Sequence, residues 1–205
     1  MARELESVEL IYKQQSEYLT PKECQDIIDI WPTLETDKAQ VYTDAELNDE
    51  IPGHMDSDFR SGMTGFCLPY QVPHWSKILH FLNKYNLEQC INLNGSYEVQ
   101  LSKYDVGDGF KKHQDVSVKQ WSRMMELNNT RKISGSIQLS APEDYTGGEF
   151  VFLTEKTKEG SMGINMDTNQ GTIFCFPSYC EHAVEKVKSG TRYSLVFWAK
   201  GPFWK

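Results

Sequence analysis

The sequence lacks two features that would place it at a membrane or on a nucleic acid. No stretch approaches the ~20 apolar residues needed to span a bilayer, and residues 1–15 lack the cationic start and apolar run of a signal peptide. Positive charge is also scarce, since 21 Lys and Arg stand against 29 Asp and Glu, a formal net charge of -8. Such a chain attracts phosphate backbones weakly. We expect no nucleic acid and no membrane partner, and a cytoplasmic protein with a small or peptidic substrate.

Paired cysteines, internal repeats and low-complexity segments are absent as well. The five cysteines are an odd number and form no Cys-x-x-Cys pair, so a disulfide framework is not expected. Zinc ligation by the two that lie closest in sequence, Cys175 and Cys180, would lack a second pair. Reduced and mostly buried thiols are therefore expected.

The composition is that of a globular protein. Hydrophobic residues make up 39% and charged residues 24% of the 205 residues, and a chain of this length forms one full-sized core. We expect a single domain over residues 1–205. Residues 1–95 are predicted to be helices and loops, and residues 96–200 a β-rich core.

Two helices and a long loop are predicted in the first part of the chain. Thr20, Pro21 and Glu23 form the start of a helix with a capping box, which Pro32 should stop. Apolar residues recur with helical spacing from Trp75 to Tyr85. Between the two helices, Val41 to Gly65 is polar and rich in Gly and Pro, which favours a loop or an irregular hairpin.

After Asn94 and Gly95 the pattern changes to short β-like runs separated by turn residues. These runs are Tyr97 to Tyr104, Phe110 to Val116, Lys132 to Leu139, Glu149 to Leu153, Gly171 to Phe176, His182 to Val187 and Thr191 to Ala199. Seven or eight short strands with this spacing are typical of an all-β sandwich or a jelly roll. The fold class predicted is mainly β with flanking helices (α+β).

A metal site is predicted within these strands. His113 and Asp115 are two residues apart on a predicted strand, so their side chains leave the same face. His182 begins a downstream strand and supplies a third ligand. Two histidines and one carboxylate occupy one face of an octahedron and suit Fe(II), with zinc as the competing metal. A second His-x-Asp pair, His54 and Asp56, lies in the Pro/Gly-rich segment and is interpreted as a solvated loop.

Arg192 and Ser194 are also two residues apart on a predicted strand, shortly after His182. A guanidinium can bind a carboxylate through two parallel hydrogen bonds, and a hydroxyl can donate one more. Together they could hold the far carboxylate of a dicarboxylic acid.

These motifs resemble the 2-oxoglutarate-dependent dioxygenases, and within them the prolyl 4-hydroxylase-like group. The resemblance covers roughly Arg60 to Trp198. Its motifs are Tyr104-Asp-Val-Gly-Asp-Gly-Phe-Lys-Lys-His113-Gln-Asp115, Arg131 to Ser140, Tyr145-Thr-Gly147-Gly148-Glu-Phe150, Gly171-Thr-Ile-Phe174, His182-Ala-Val and Gly190-Thr-Arg192-Tyr-Ser194 up to Trp198. The resemblance implies a double-stranded β-helix (jelly roll) with N-terminal supporting helices.

The resemblance also implies cofactors and roles for individual residues. Fe(II), 2-oxoglutarate and O2 would be required, with succinate and CO2 as products and ascorbate as a candidate reductant. Tyr104 would bond the co-substrate, and Gln138 is a further candidate, although a strand Gln can also point outward. Arg60 is a candidate substrate contact on a covering loop. Beyond the metal ligands, no catalytic side chain is predicted, and Gly147 and Gly148 are interpreted as a structural turn.

The substrate is less determined than the chemistry. Hydroxylation of an unactivated C–H, at the 4-position of a prolyl residue in a peptide or protein, is the first hypothesis. Its coverings would be Val41 to Gly65 and Ser117 to Thr130. The same chemistry on a free amino acid, another side chain or an alkylated base is the second hypothesis, because Gln138-Leu139-Ser140 replaces the Tyr-Leu-Asn of many prolyl hydroxylases. A non-enzymatic binding module of cupin type is the third. The sequence leaves the oligomeric state open.

Overall fold

The computed structural model describes residues 12–39, 59–116, 129–157 and 160–202. In chain order the described helices and strands are β1 (Lys13–Gln15), α1 (Pro21–Ile28), β2 (Thr36–Lys38), β3 (Met63–Cys67), α2 (Trp75–Gln89), β4 (Tyr97–Tyr104), β5 (Phe110–His113), β6 (Thr130–Gln138), β7 (Tyr145–Gly147), β8 (Phe150–Thr157), β9 (Gly160–Asn165), β10 (Ile173–Pro177), β11 (His182–Val184), β12 (Val187–Gly190) and β13 (Arg192–Gly201). Short 3-10 turns occur at Trp31–Thr33, Pro69–Gln71 and Pro142–Asp144.

Antiparallel strands form two main sheets. The larger has the order β1-β10-β6-β13-β4-β3-β2, and the smaller has the order β5-β11-β8-β9. Strands β12 and β7 form a separate two-stranded sheet. A cluster of aromatic side chains from β8 in one sheet and β10 in the other packs between them. The fold is a double-stranded β-helix.

The two faces of strand β13 have different surroundings, the helices on one side and the space between the two sheets on the other. Its neighbours in the larger sheet are β4 and β6, and alternate side chains leave opposite faces. Leu195 and Phe197 face the helices, where they join a core that includes Ile78, Phe81 and Leu82 of α2. Burying side chains of this kind contributes roughly 1.5–3 kcal/mol each. The helices therefore cover the outer face of the larger sheet.

The first helix begins as predicted. Thr20 is the N-cap, its hydroxyl accepts from the Glu23 N–H at 3.3 Å, and the Glu23 carboxylate accepts from the Thr20 N–H at 2.7 Å. The α-helix ends at Ile28 rather than at Pro32, and a 3-10 turn follows. Glu23 also accepts hydrogen bonds from Lys77 of α2 at 3.0 and 2.8 Å, which ties the two helices together.

The strand pattern differs from the prediction in several places, and β7 and β9 were not predicted at all. The run Phe110 to Val116 forms hydrogen-bonded strand only as far as His113, and the run His182 to Val187 is divided between β11 and β12. The expectation of only helices and loops in residues 1–95 was incomplete, because β1, β2 and β3 join the larger sheet. Strand β3 also takes the last three residues of the predicted loop. Short polar strands such as β1 form because the sheet edge supplies hydrogen-bonding partners, which their own sequence does not signal.

Other predictions concern residues outside this description. The His54 and Asp56 pair lies outside the described residues, as does most of the two predicted coverings. None of the helices in the described ranges is both long and apolar enough to cross a bilayer. All five cysteines are free thiols.

Candidate metal centre

His182 meets the neighbouring pair His113 and Asp115, which lies about 70 residues earlier in the chain, between the two sheets. One ligand atom from each of His113, Asp115 and His182 lies within 4.8 Å of the others. The distance from His113 Nε2 to Asp115 Oδ1 is 3.7 Å, and that from His182 Nε2 to Asp115 Oδ2 is 3.6 Å. These separations suit three atoms that share one ion, since metal–ligand bonds of about 2 Å place the ligand atoms roughly 3 Å apart.

Strand pairing positions the two histidines. His113 at the end of β5 lies opposite His182 at the start of β11 in the antiparallel register. Asp115 lies beyond the end of β5, and its N–H donates to the Ser178 carbonyl at 3.0 Å. The Ser134 hydroxyl of the larger sheet donates to the Ser178 hydroxyl at 2.9 Å. Backbone pairing across both sheets therefore brings the carboxylate to the histidines.

Both imidazole rings are oriented by the backbone two residues earlier. His113 Nδ1 lies 2.8 Å from the Lys111 carbonyl, and His182 Nδ1 lies 2.9 Å from the Cys180 carbonyl. A carbonyl only accepts, so each Nδ1 carries the proton and each Nε2 presents its lone pair towards Asp115. A hydrogen bond of this kind behind the ring fixes the tautomer that binds a metal.

The protonation states also favour metal binding. Burial lowers the pKa of His113 to about 3, and the neighbouring His182 adds to this effect while Asp115 opposes it. Burial alone would raise the pKa of Asp115, but His182 and His113 outweigh it and lower the pKa to about 2. A neutral imidazole and an ionised carboxylate are the forms that coordinate a cation without first releasing a proton.

Aromatic rings enclose the cluster. Phe110 stacks on His113 with ring centroids 3.4 Å apart, and Phe150 stacks nearly parallel on His182 at 5.1 Å. Phe176 meets the edge of His182 at 4.9 Å. These rings hold the ligands in place and exclude water from their surroundings, which strengthens electrostatic interactions inside the site.

The metal cluster opens into a cavity between the sheets. The larger sheet forms one wall of the cavity. This wall consists of alternate residues of two adjacent strands, because alternate side chains of a strand lie on the same face of the sheet. The residues contributed by that wall include Gln100 and Tyr104 of β4, and Arg192, Ser194, Val196 and Trp198 of β13. The sequence-predicted Arg192, Ser194 and Tyr104 thus line the same cavity as His113, Asp115 and His182.

Arg192 is 1% exposed, and its hydrogen-bonding partners are neutral. Nη1 donates to the Ser194 hydroxyl at 3.3 Å, Nη2 donates to the Gln138 side-chain oxygen, and Nε has no partner within the described residues. Its guanidinium carbon lies 5.6 Å from the centre of the Tyr104 ring. A buried cation without a counter-ion is costly. The described surroundings of Arg192 therefore suit an anionic ligand.

Arg60 and Gln138 take different places. Arg60 lines the cavity, where its guanidinium lies 4.5 Å above the Phe110 ring and hydrogen-bonds to Gln100 at 3.3 Å and to Tyr104. Gln138 points inward with 2% exposure, and both ends of its amide are taken, by Arg192 and by the Tyr145 hydroxyl. Gln138 therefore links the Arg192 guanidinium to the Tyr145 hydroxyl.

Sequence reasoning missed several residues around the cavity. Trp198 and Gln100 could have been found by extending the two-residue alternation from Arg192 and from Tyr104. Trp198 is 4% exposed, and Arg131 stacks on its ring at 3.8 Å. Tyr145 gave no such signal, because it begins a three-residue strand. Phe110, Phe150 and Phe176 appeared only as strand aromatics.

Sequence comparison identifies the family. Residues 99–200, about half of the chain, match the 2OG-Fe(II) oxygenase superfamily. A PKHD-type hydroxylase of Beijerinckia indica is 32% identical over 97 residues, which cover 47% of this chain and 40% of that protein. A PKHD-type hydroxylase of Synechococcus sp. is 30% identical over 106 residues, which cover 51% of this chain and 43% of that protein. The matched region thus spans less than half the length of these curated relatives.

Solved structures share the fold over nearly the whole chain. A Pseudomonas putida prolyl-4-hydroxylase has a TM-score of 0.66 at 15% identity, with 97% of this chain and 96% of that chain covered. The viral collagen prolyl hydroxylase of Paramecium Bursaria Chlorella virus-1 has a TM-score of 0.62 at 19% identity, with 93% and 96% covered. The matched family region contains all three members of the metal cluster and Arg192. The chain therefore belongs to the 2OG-Fe(II) oxygenase superfamily and has its double-stranded β-helix fold.

Proposed function

We propose that the protein is an Fe(II)- and 2-oxoglutarate-dependent hydroxylase that oxidises an unactivated C–H bond and releases succinate and CO2. One observation carries this proposal. The buried Arg192 guanidinium, with neutral partners, lines the same cavity as the His113, Asp115 and His182 cluster. A site with a cation at one end and a metal-binding triad at the other fits a dicarboxylate that also chelates the metal.

The donor set fits Fe(II). Two imidazole nitrogens and one carboxylate are the donor set of the Fe(II) sites that bind an oxo acid and O2. His113, Asp115 and His182 would hold the ion. When bound, Fe(II) and 2-oxoglutarate supply the oxidising power that inserts an oxygen atom from O2 into the substrate.

The chain's own residues would bind the co-substrate, orient the metal ligands and keep water out of the site. Arg192 and Ser194 would hold the far carboxylate of 2-oxoglutarate, and Tyr104 lies beside them on the same wall of the cavity. The backbone carbonyls of Lys111 and Cys180 keep both imidazoles in the metal-binding tautomer. The phenylalanines stacked on the histidines keep water away from the site, which protects a reactive centre from side reactions.

The proposed substrate is a prolyl residue in a peptide or protein, hydroxylated at its 4-position. The solved structures with this fold include several prolyl hydroxylases, and one from Trichoplax adhaerens is in complex with a peptide fragment of the hypoxia inducible factor oxygen degradation domain. Arg60 lines the cavity and would contact the substrate. The natural peptide is to be found by screening.

Succinate formation tests the proposal directly. The purified chain is loaded anaerobically with Fe(II), and succinate is measured with 2-oxoglutarate, O2 and ascorbate as the candidate reductant. A panel compares prolyl peptides, the same peptides with Ala for Pro, and free amino acids. We expect succinate formation to rise with prolyl peptides, and the peptide mass to increase by one oxygen atom.

Other results of the same assays would support one of the alternative functions. Turnover with free amino acids or with Ala-substituted peptides, but not with prolyl peptides, would retain the oxygenase chemistry and reject the prolyl substrate. Absence of any succinate from the iron-loaded chain, together with binding of 2-oxoglutarate, would favour a binding module of cupin type.

A further inference from the structure

Gln138 lies directly across the sheet from the residue that follows Arg192 on the cavity face. It is the last residue of β6, and the antiparallel register pairs it with Ser194 of β13. Its side chain therefore shares the cavity face with Arg192 and Ser194. This position is set by the backbone.

The two ends of the Gln138 amide have different partners. The oxygen accepts from Arg192 Nη2, and the nitrogen donates to the Tyr145 hydroxyl at 3.1 Å. A flipped amide would place its NH2 group against the guanidinium, where two donors would face each other. Arg192, which only donates, thus selects the amide orientation, and the hydroxyl of Tyr145, which is 6% exposed, anchors the NH2 end of the amide in that orientation.

A neutral partner also keeps the charge of Arg192 available. A carboxylate in the place of the Gln138 amide would form an ion pair with the guanidinium and compete with any anionic ligand. The amide oxygen orients the fork without neutralising it. The Arg192 Nε without a partner in the described part of the chain leaves one more donor for a ligand.

We propose that Tyr145 and Gln138 are a positioning pair that orients Arg192 for the distal carboxylate of a 2-oxo dicarboxylic acid and so selects 2-oxoglutarate over 2-oxo acids that lack that carboxylate. The inference rests on the proposed function and extends it to two residues. Neither residue touches the metal cluster in its described contacts. The pair acts on selection at one end of the co-substrate only.

The substitution Gln138→Glu tests the requirement for a neutral partner. It retains the size of the side chain and adds the competing charge. Binding of 2-oxoglutarate and of pyruvate to the full chain loaded with Mn(II) is measured by titration calorimetry, in the absence of turnover. We expect affinity for 2-oxoglutarate to fall about 10- to 100-fold, as for loss of a charge-assisted hydrogen bond. Affinity for pyruvate, which has no distal carboxylate, should stay unchanged.

A matched control carries the same chemical change elsewhere. Gln71 lies on the exposed 3-10 turn after β3, and its side-chain oxygen accepts from the Leu68 N–H at 2.8 Å. Gln71→Glu retains this acceptor, so binding of both 2-oxo acids should equal that of the unmodified chain. Equal loss of 2-oxoglutarate binding in both variants would reduce the effect of Gln138→Glu to one of net charge and overturn the proposal.

The substitution Tyr145→Phe tests the orienting hydroxyl. Loss of one neutral hydrogen bond should weaken 2-oxoglutarate binding by about 3- to 10-fold. In turnover, KM for 2-oxoglutarate should rise by the same factor while kcat at saturation is retained. Tyr18→Phe is the control, because its hydroxyl donates to the Lys77 carbonyl at 2.9 Å, away from the cavity.

The results separate this proposal from the proposed function. If the unmodified chain binds no 2-oxoglutarate, the proposed function fails. If the unmodified chain binds it, but Gln138→Glu and Tyr145→Phe bind it equally well, only the positioning pair is wrong. A parallel loss of pyruvate binding in Gln138→Glu would mean that the metal end is disturbed, and would also overturn the pair.

Discussion

Gly148 lies against the aliphatic part of Arg192. A Cβ atom added at Gly148 would lie 2.9 Å from Arg192 Cδ, and the backbone of Gly148 has φ of +68°. The turn of Gly147 and Gly148 before β8 was predicted as a structural element. Its second glycine also leaves room for the stem of the arginine that lines the cavity.

Replacement of this glycine should disturb both stability and the cavity. Gly148→Ala carries the cost of a left-handed backbone, about 1–2 kcal/mol, and displaces the Arg192 stem. Gly95→Ala is the matched control, since Gly95 has φ of +80° and nothing within 4 Å of the added Cβ. We expect both variants to unfold at lower temperature and only Gly148→Ala to raise KM for 2-oxoglutarate. An unchanged KM in Gly148→Ala would show that the aliphatic part of Arg192 adopts another conformation without loss of 2-oxoglutarate binding.

Removal of a metal-cluster side chain should abolish turnover. His113→Ala and Asp115→Ala each leave two donors, too few to hold Fe(II) firmly in this site. We expect no Fe-dependent succinate production and loss of bound iron, measured by metal analysis after gel filtration. His80→Ala, an exposed position on α2, should retain both. Unchanged turnover in either cluster variant would refute the assignment of the triad.

Two substitutions separate the contributions of the charge and of the planar guanidinium of Arg192 to 2-oxoglutarate binding. Arg192→Lys keeps the charge but cannot reach Gln138 and Ser194 with one planar group, whereas Arg192→Met loses the charge as well. We expect KM for 2-oxoglutarate to increase about tenfold in the first variant and 100-fold or more in the second, as for loss of one and of several charge-assisted bonds. Steady-state succinate assays at varied 2-oxoglutarate concentrations measure the three KM values and check their order. Equal KM in all three chains would remove Arg192 from the binding site.

Glu23 provides a pH-dependent contribution to stability. Its hydrogen bonds with Lys77 and, next, with the Thr20 backbone lower its pKa from 4.5 to about 2. Because the pKa in the folded state is below that of the unfolded state, ionised Glu23 stabilises the fold above pH 4.5. This contribution is lost as the pH falls from 4.5 towards 2.

The substitution Glu23→Gln should therefore lower Tm at pH 7 and matter less in acid. A partly exposed ion pair combined with a helix cap contributes about 1 kcal/mol, which corresponds to about 2–4 °C in a chain of this size. Thermal unfolding of both chains between pH 7 and pH 3 measures the difference. Lys77→Met should produce a similar loss at pH 7. A difference in Tm that does not shrink towards pH 3 would contradict this account.

The three residues predicted to share a metal ion lie together in the structure, although one reason for expecting this was inaccurate. His113 and Asp115 were placed on one face of a strand, but the ladder ends at His113. Asp115 reaches the cluster because its N–H pairs with Ser178. The i, i+2 spacing therefore gave the right cluster by a route that the local pattern alone could not reveal.

Short strands explain most of what the sequence did not predict. Strands β1, β7 and β12 have three or four residues, and their pairing partners lie far away in the chain, so no local periodicity marks them. Tyr145 belongs to one of these strands. Its place behind Gln138 depends on the three-dimensional pairing of β7 with β12, which sequence spacing does not contain.

Strand β13 restricts how this protein can be redesigned. One side of the strand carries Arg192, Ser194 and Trp198, and the other carries Leu195 and Phe197 of the core. A shift of one residue in its pairing would exchange these two sets. An insertion or deletion in β13 would thus disturb the proposed 2-oxoglutarate site and the hydrophobic core together. Libraries for a new substrate range should hold this strand constant.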